Sequence, residues 1–164
     1  MSRRLALIIG NSAYRDGTLA RLLTPDIDVG ALAEILLDPE VGAFDDAKVL
    51  VNMTSATVRR AIADFFSQKS REDLLLLYFS GHGVLDDRGR LHLAVKDTDH
   101  SLLRGTAVAA SFIADEMDNS RSQRQVLILD CCHSGAFAAA RRVRPASPWA
   151  PLPHLRELAL GEWC

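Results

Sequence analysis

Apolar and polar positions alternate along the chain in blocks, and the spacing within each block predicts a strand or a helix. Three short runs dominated by apolar residues are typical of strands buried on both faces, and a fourth, shorter run begins at Lys48. The predicted strands are residues 5–9, 48–51, 74–79 and 125–129.

Helical spacing of apolar residues predicts three helices between these strands. The first follows Thr24, has a proline at its first position and ends at Asp38. Thr54 or Ser55 caps the second, and the third is expected over residues 106–119. Strands that alternate with helices indicate a mostly parallel sheet covered on both faces. The predicted fold class is therefore α/β.

A hairpin is expected after the third strand. Residues 84–85 and 91–93 have the alternation of short strands, and Asp87-Arg88-Gly89 supplies a turn between them. The polar residues 86–88 are interpreted as part of that turn. The remaining histidines are interpreted as solvated or packing residues; they are His92, His100 and His154.

The last thirty residues differ in character from the rest of the chain. Alanine and arginine dominate residues 136–144, and four prolines follow between Pro145 and Pro153. No further strand is predicted there, so a sheet built from the preceding residues has an open edge. We predict one domain over residues 1–140 and a proline-rich tail over 141–164, irregular or the truncated remainder of the domain.

Composition narrows the function classes. With 19 basic and 21 acidic residues among 164, the net charge of −2 disfavours a general attraction to nucleic acid or to anionic membranes. No apolar run approaches the roughly 20 residues of a spanning helix, and no signal peptide is recognised. Three cysteines, two of them adjacent, do not form a disulfide framework. The sequence predicts a cytoplasmic protein.

Two of the predicted strands end in polar clusters flanked by glycine. One is Ser80-Gly81-His82-Gly83, and the other is Asp130-Cys131-Cys132-His133-Ser134-Gly135. Parallel strands bring their carboxyl ends to one edge of a sheet, where chemistry gathers. A cysteine at such a position is activated by backbone N–H groups and by a neighbouring histidine. The pattern predicts a cysteine nucleophile with a histidine base.

The order and spacing of the two clusters resemble a known family. His82 precedes Cys132 by 50 residues, which is the arrangement of caspases. Residues 78–83 and 130–135 resemble the two catalytic motifs of caspase-like cysteine peptidases (peptidase C14), with the metacaspase and bacterial branch as the nearest pattern. Residues 7–14 resemble that family's first strand and loop. The resemblance covers about residues 4–137 and implies a three-layer caspase-like fold, of which this chain carries the large-subunit part only.

The same resemblance implies roles at the site. Adjacent residues that leave a strand point to opposite sides, and the family pattern assigns Cys132 as the nucleophile and Cys131 as a packing neighbour. His82 is then the base. The backbone N–H groups of Gly83 and Cys132 are expected to hold the oxyanion.

Substrate preference follows from an acid in the implied pocket. The resemblance assigns Asp130, together with Ser80 and Asp28, to the pocket for the residue before the scissile bond. Because a carboxylate pairs with guanidinium and ammonium groups, we predict cleavage of protein or peptide substrates after Arg or Lys. The cluster around Arg141 and Arg144 is either a solvated helix face or a site of self-processing.

No metal or cofactor is predicted. Asp97 and Asp99 alone do not supply the six to eight oxygen ligands that calcium requires. Adjacent cysteines do not easily ligate one zinc ion, and no second cysteine pair is present. Cys164 has no assigned role.

A second hypothesis is a different class of protein. The family normally adds a small-subunit region that completes the substrate pocket, and here only the proline-rich tail follows. The chain is then an inactive or incomplete caspase-like interaction module that self-associates, or pairs with a missing segment, through its open sheet edge. A third reading is a fragment or frameshifted end of a longer peptidase.

Overall fold

The computed structural model describes residues 2–137. The proline-rich tail, the arginine cluster, His154 and Cys164 lie outside the described residues, as does most of the alanine-rich segment that begins at Ala136.

A four-stranded parallel sheet organises the described chain and confirms the predicted α/β class. Its strands are β1 (Arg4–Gly10), β2 (Asp46–Val51), β3 (Leu74–Ser80) and β7 (Arg124–Asp130). They lie in the order β2-β1-β3-β7. Every pairing within this sheet is parallel, and β3 pairs with β7 from Leu74↔Arg124 to Ser80↔Asp130.

Helices cover both faces of this sheet, so the domain has three layers. On one face α1 (Pro25–Leu37) packs against Ala6 and Ile8 of β1. On the other, α2 (Ser55–Phe66) and α4 (Ala110–Asn119) pack against the alternate residues of β1 and β3. Successive side chains of a strand point to opposite faces of the sheet. Consecutive residues of β1 therefore pack into the two apolar clusters on either side of the sheet.

The helix boundaries follow from local chemistry. Proline occupies the first position of α1, after Thr24, and Asp38 ends the helix in an extended conformation. The Thr54 hydroxyl accepts the Thr57 backbone N–H at 3.4 Å and caps α2. Both helices therefore begin where the sequence predicts.

A second, small sheet holds the predicted hairpin. Strands β4 (Gly83–Leu85) and β5 (Leu91–Leu93) pair antiparallel, and β6 (Val108–Ala109) extends the sheet beside β5. Asp86 stabilises the turn, because its carboxylate accepts the backbone N–H groups of Arg88 and Arg90 and pairs with the Arg90 guanidinium at 2.7 Å.

The expectation of one helix over residues 106–119 is wrong at residues 107–109, which are not helical. A short helix, α3 (Leu103–Thr106), ends before them, and α4 begins only at Ala110. Val108 lies opposite Leu93 and is fully buried. Strand pairing with β5 and burial of a β-branched side chain therefore override the helical propensity of the segment.

An ion pair fixes the start of β3. The buried Asp73 carboxylate accepts the backbone N–H of Arg3 at 3.0 Å and its guanidinium at 2.9 Å, and also the Ser70 N–H. These bonds, led by the Arg3 side chain, hold the pKa of Asp73 well below its usual range. The contact ties the amino end of the chain to the sheet.

Across residues 2–137, every helix falls short of the length and apolar character that crossing a bilayer requires.

Candidate active site

Strands β3 and β7 end side by side, which brings the two glycine-flanked clusters together. Ser80 lies opposite Asp130 in the parallel register. Beyond this pair, the Gly81 N–H donates to the Asp130 carbonyl oxygen at 3.3 Å. The loops that carry His82 and Cys132 therefore leave the sheet at the same edge.

Gly83 lies directly against the loop that carries Cys132. A Cβ atom at this position would overlap the carbonyl oxygen of Cys132 and would lie 3.0 Å from the Cys131 sulfur. Glycine is therefore required here, because any other residue would push the loops apart.

The N–H group of Gly83 faces away from β5. Bonds from Ala94 N to His82 O and from Asp86 N to Arg90 O flank the β4–β5 ladder. Since hydrogen-bonded and non-hydrogen-bonded pairs alternate in an antiparallel ladder, Gly83 and Leu93 form a non-hydrogen-bonded pair. The donor of Gly83 is directed out of the ladder.

The half-buried His82 imidazole is held by a main-chain oxygen. Its Nε2 lies 2.8 Å from the carbonyl oxygen of Ala20, in the loop between β1 and α1. A carbonyl oxygen only accepts hydrogen bonds, so Nε2 carries the proton. In the neutral imidazole Nδ1 is then the basic nitrogen.

Tyr14, in the same loop, contacts both the backbone and the ring of His82. Its hydroxyl oxygen lies 3.1 Å from the His82 backbone nitrogen and 2.7 Å from the carbonyl oxygen of Asn11. The two rings lie 5.0 Å apart between centroids at an interplanar angle of 40°. Sequence reasoning missed Tyr14 and Ala20 as site residues, and no side-chain pattern could have revealed a contact through the Ala20 main chain.

The two adjacent cysteines occupy different environments. Cys131 packs against the apolar core on the α2 and α4 side of the sheet, as expected for a packing neighbour. Burial raises the pKa of Cys131 to about 12, and the nearby Cys132 and Asp130 add to that rise. Cys131 is therefore a thiol at neutral pH. Cys132 is half-buried, and His133 after it has a positive φ of 62°.

Asp130, Ser80 and Tyr78 form a hydrogen-bonded cluster at the strand ends. The exposed Asp130 carboxylate has its Oδ2 atom 3.2 Å from the Tyr78 hydroxyl and 3.5 Å from the buried Ser80 hydroxyl. Burial, followed by the charge of Asp130, raises the pKa of Tyr78 to about 12. Tyr78 is therefore protonated at neutral pH, and its hydroxyl donates a hydrogen bond to the Asp130 carboxylate.

Asp28 is on the exposed side of α1 and makes no hydrogen bond to Ser80 or Asp130 within residues 2–137. Its charge nevertheless contributes to the raised pKa of Tyr78, which places Asp28 near the cluster.

The sequence analysis did not identify Tyr78 as a site residue, although strand alternation puts Tyr78 on the same face of β3 as Ser80.

The carboxylates considered for calcium serve local structure. Asp97 accepts the Ser55 N–H at the start of α2, and Asp99 accepts the Ser101 N–H. In the part of the chain that the structure describes, no group of three or more His, Cys, Asp or Glu side chains is arranged to hold a metal ion.

Comparison with known proteins agrees with this architecture. The family model of the caspase domain (peptidase C14) matches residues 3–150. A structural genomics crystal structure of a protein from Geobacter sulfurreducens is similar in fold, with a TM-score of 0.63 and 20% sequence identity. The match covers 80% of this chain and 51% of that one, so this chain spans about half the length of that structure. No curated protein sequence matches. From the family match, the chain belongs to the caspase-domain family of peptidases.

Proposed function

We propose that this chain is the catalytic domain of a cysteine endopeptidase that cleaves after Arg or Lys with Cys132 as nucleophile and His82 as base. The observation that carries the proposal is the contact between Gly83 and Cys132. It brings the two catalytic motifs of the family into one loop pair at the edge of the sheet. The metacaspase and bacterial branch is part of this proposal, because that branch rests on the resemblance of residues 80–83 and 130–135 to its two motifs.

The chemistry begins with proton transfer. His82 Nδ1 removes the proton from the Cys132 thiol, while the Ala20 carbonyl accepts from Nε2 and stabilises the imidazolium that forms. The thiolate attacks the scissile carbonyl carbon and forms a tetrahedral oxyanion. As the C–N bond breaks, the imidazolium returns its proton to the leaving amine. Water, deprotonated by His82, then hydrolyses the thioester.

The backbone donors of Gly83 and Cys132 are proposed to receive the oxyanion. Support comes from the β4–β5 ladder, in which the Gly83 donor is directed away from β5. Each donor of an oxyanion hole typically contributes about 2.7–4 kcal/mol to transition-state stabilisation.

Specificity is assigned to the Asp130 cluster. Two hydroxyl groups hold Oδ2 of Asp130, and among the side chains that the structure describes none donates to Oδ1. Because hydrogen bonds to one oxygen hold this exposed carboxylate in place, its other oxygen can accept a hydrogen bond from a guanidinium or ammonium group. Asp28 adds a second negative charge near the same place.

Fluorogenic peptides that differ only in the residue before the cleaved bond test the proposal. We expect hydrolysis after Arg and Lys and none after Asp or Ala, with all hydrolysis lost in Cys132→Ala. The isosteric Asp130→Asn variant should raise KM for the Arg peptide roughly ten- to hundredfold, because a charge-assisted bond is lost. Hydrolysis that survives Cys132→Ala would reject the nucleophile, and equal cleavage after Ala would reject the specificity.

The edge strand β7 favours the second hypothesis, an interaction module. Strands β2 and β7 are the two edges of the parallel sheet among the described residues, and Val126 on β7 is 38% exposed. The free backbone N–H and C=O groups along the outer edge of such a strand can pair with a strand of another chain. Molar mass measured by light scattering over a concentration series separates the two hypotheses: a dimer without Cys132-dependent hydrolysis supports the module, and a monomer with hydrolysis rejects it.

A further inference from the structure

We infer that Tyr14 is a positioning residue for His82: its hydroxyl and ring hold the histidine so that Nε2 stays on the Ala20 carbonyl and Nδ1 is left for Cys132. The inference rests on the proposed function, because it concerns the base of that reaction.

The directions of the Tyr14 hydrogen bonds are fixed. A tyrosine hydroxyl has one hydrogen, and the carbonyl oxygen of Asn11 only accepts, so that hydrogen is donated to Asn11 at 2.7 Å. The His82 backbone N–H, 3.1 Å away, therefore donates to the Tyr14 oxygen. Tyr14 is thus both donor and acceptor in one chain of bonds.

The backbone around His82 needs such a restraint. Glycine lies on both sides of His82, and glycine restricts backbone angles least. The imidazole is half-buried, so surrounding side chains do not enclose it. The Tyr14 hydroxyl fixes the backbone, and the Tyr14 ring packs at 5.0 Å from the imidazole centroid.

Tyr14 is itself anchored to the sheet. Asn11, which accepts from the Tyr14 hydroxyl, donates its own backbone N–H to the Ser80 carbonyl at the end of β3. The Asn52 side-chain oxygen accepts the N–H groups of Ser12 and Ala13 at 2.9 and 3.0 Å. The chain of bonds therefore joins the ends of β1, β2 and β3 to the histidine.

Kinetics of Tyr14→Phe provide the first test. This variant keeps the ring but leaves the Asn11 carbonyl and the His82 N–H without their partner. We expect kcat on the Arg peptide to fall roughly ten- to hundredfold with KM within twofold, because a catalytic group is misplaced while the substrate pocket is intact. Ser67→Ala, which removes an exposed hydroxyl at the end of α2, is the matched control and should retain wild-type kinetics.

Nitrogen NMR of the His82 imidazole provides the second test, with the signal assigned by its absence in His82→Gln. In the wild type we expect the Nε2–H tautomer, and in Tyr14→Phe a mixture of tautomers. This readout does not require turnover. If the wild type shows no Cys132-dependent hydrolysis, the proposed function fails. The change in tautomer ratio between the wild type and Tyr14→Phe then still tests whether Tyr14 positions His82.

Three results would overturn the inference. The first is wild-type kcat in Tyr14→Phe, and the second is an unchanged tautomer ratio in that variant. The third is loss of its cooperative thermal transition, which would make Tyr14 a structural residue only. A selective fall in kcat with a retained thermal transition and a changed tautomer ratio supports it.

Discussion

Gly83 lies against the carbonyl oxygen of Cys132 so closely that no side chain fits between the two residues. Position 83 begins β4, and position 132 follows β7, so the contact joins the two sheets of the domain. The geometry of the proposed site therefore depends on the absence of a side chain at this point.

Replacing Gly83 by alanine should separate the loops. A Cβ would overlap backbone at Cys132, which cannot move aside as a flexible side chain does. We expect Gly83→Ala to lower kcat/KM for the Arg peptide on the order of 100-fold, measured by fluorogenic hydrolysis. Gly17→Ala is the control, since nothing lies within 4 Å of its Cβ position. Activity within twofold of wild type would contradict the expectation.

The two adjacent cysteines should differ in their reaction with iodoacetamide. With a pKa of about 12, only on the order of one in ten thousand Cys131 side chains is a thiolate at pH 8. We expect alkylation of Cys132 at pH 8, and of Cys131 only as the pH approaches 12 or the chain unfolds. Tandem mass spectrometry of the shared peptide locates the label, with Cys131→Ala and Cys132→Ala as matched variants. Equal labelling of both at pH 8 is the contrary result.

Removing the Tyr78 hydroxyl should weaken recognition of a basic residue. Tyr78→Phe takes away a donor to Asp130 Oδ2, leaving the carboxylate held by Ser80 alone among the described residues. A lost hydrogen bond of about 0.5–1.5 kcal/mol corresponds to roughly a two- to tenfold rise in KM for the Arg peptide. Steady-state kinetics at fixed pH measure this rise. An unchanged KM would show that Tyr78 does not position Asp130.

Acid should loosen the loop that carries Ala20. The backbone N–H groups of His100 and Thr18 lower the pKa of Asp16 to about 2. The pKa of Asp16 is lower in the folded state than its unfolded value of about 3.9. The ionised carboxylate therefore stabilises the fold at every pH above about 3.9. This contribution is lost as the pH falls towards 2. The difference in Tm between the wild type and Asp16→Asn should therefore be present at pH 6 and close between pH 4 and pH 2. A constant difference across that range contradicts the assignment.

Gly30, in the interior of α1, should tolerate a side chain with a gain in stability. No atom lies within 4 Å of its Cβ position, and alanine loses less backbone entropy in a helix than glycine does. We expect Gly30→Ala to raise the free energy of unfolding by about 0.5–1 kcal/mol, measured by urea denaturation. A decrease would contradict the open position of Gly30 in the helical interior of α1.

The sheet could be predicted from sequence because its central strands, β1 and β3, are continuous apolar runs of the length of a buried strand. Residues 5–9 and 74–79 lie within β1 and β3, and the positions of the glycines place the loops after the strands. The two-residue strand β6 could not be found in this way. It is too short to show alternation, and it exists because β5 offers it a partner.

Part of the candidate site could also be predicted from the sequence, and part could not. Spacing along the chain singles out His82 and Cys132, because strand ends gather at one edge of a parallel sheet. The restraints on His82 are carried by a carbonyl oxygen and a hydroxyl from residues more than sixty positions away. Only the folded chain shows such contacts, since a main-chain acceptor leaves no trace in residue type.

The register between β3 and β7 sets a requirement on length. The strands pair residue for residue over their full extent, without a bulge, up to Ser80 and Asp130. Deleting one residue from β7 would preserve its apolar character but draw Cys132 back by about 3.3 Å and exchange the two faces of the strand. A single-codon insertion or deletion in this strand should thus be a loss-of-function allele even where hydropathy is unchanged. Natural variation here is expected to substitute residues and to conserve their number.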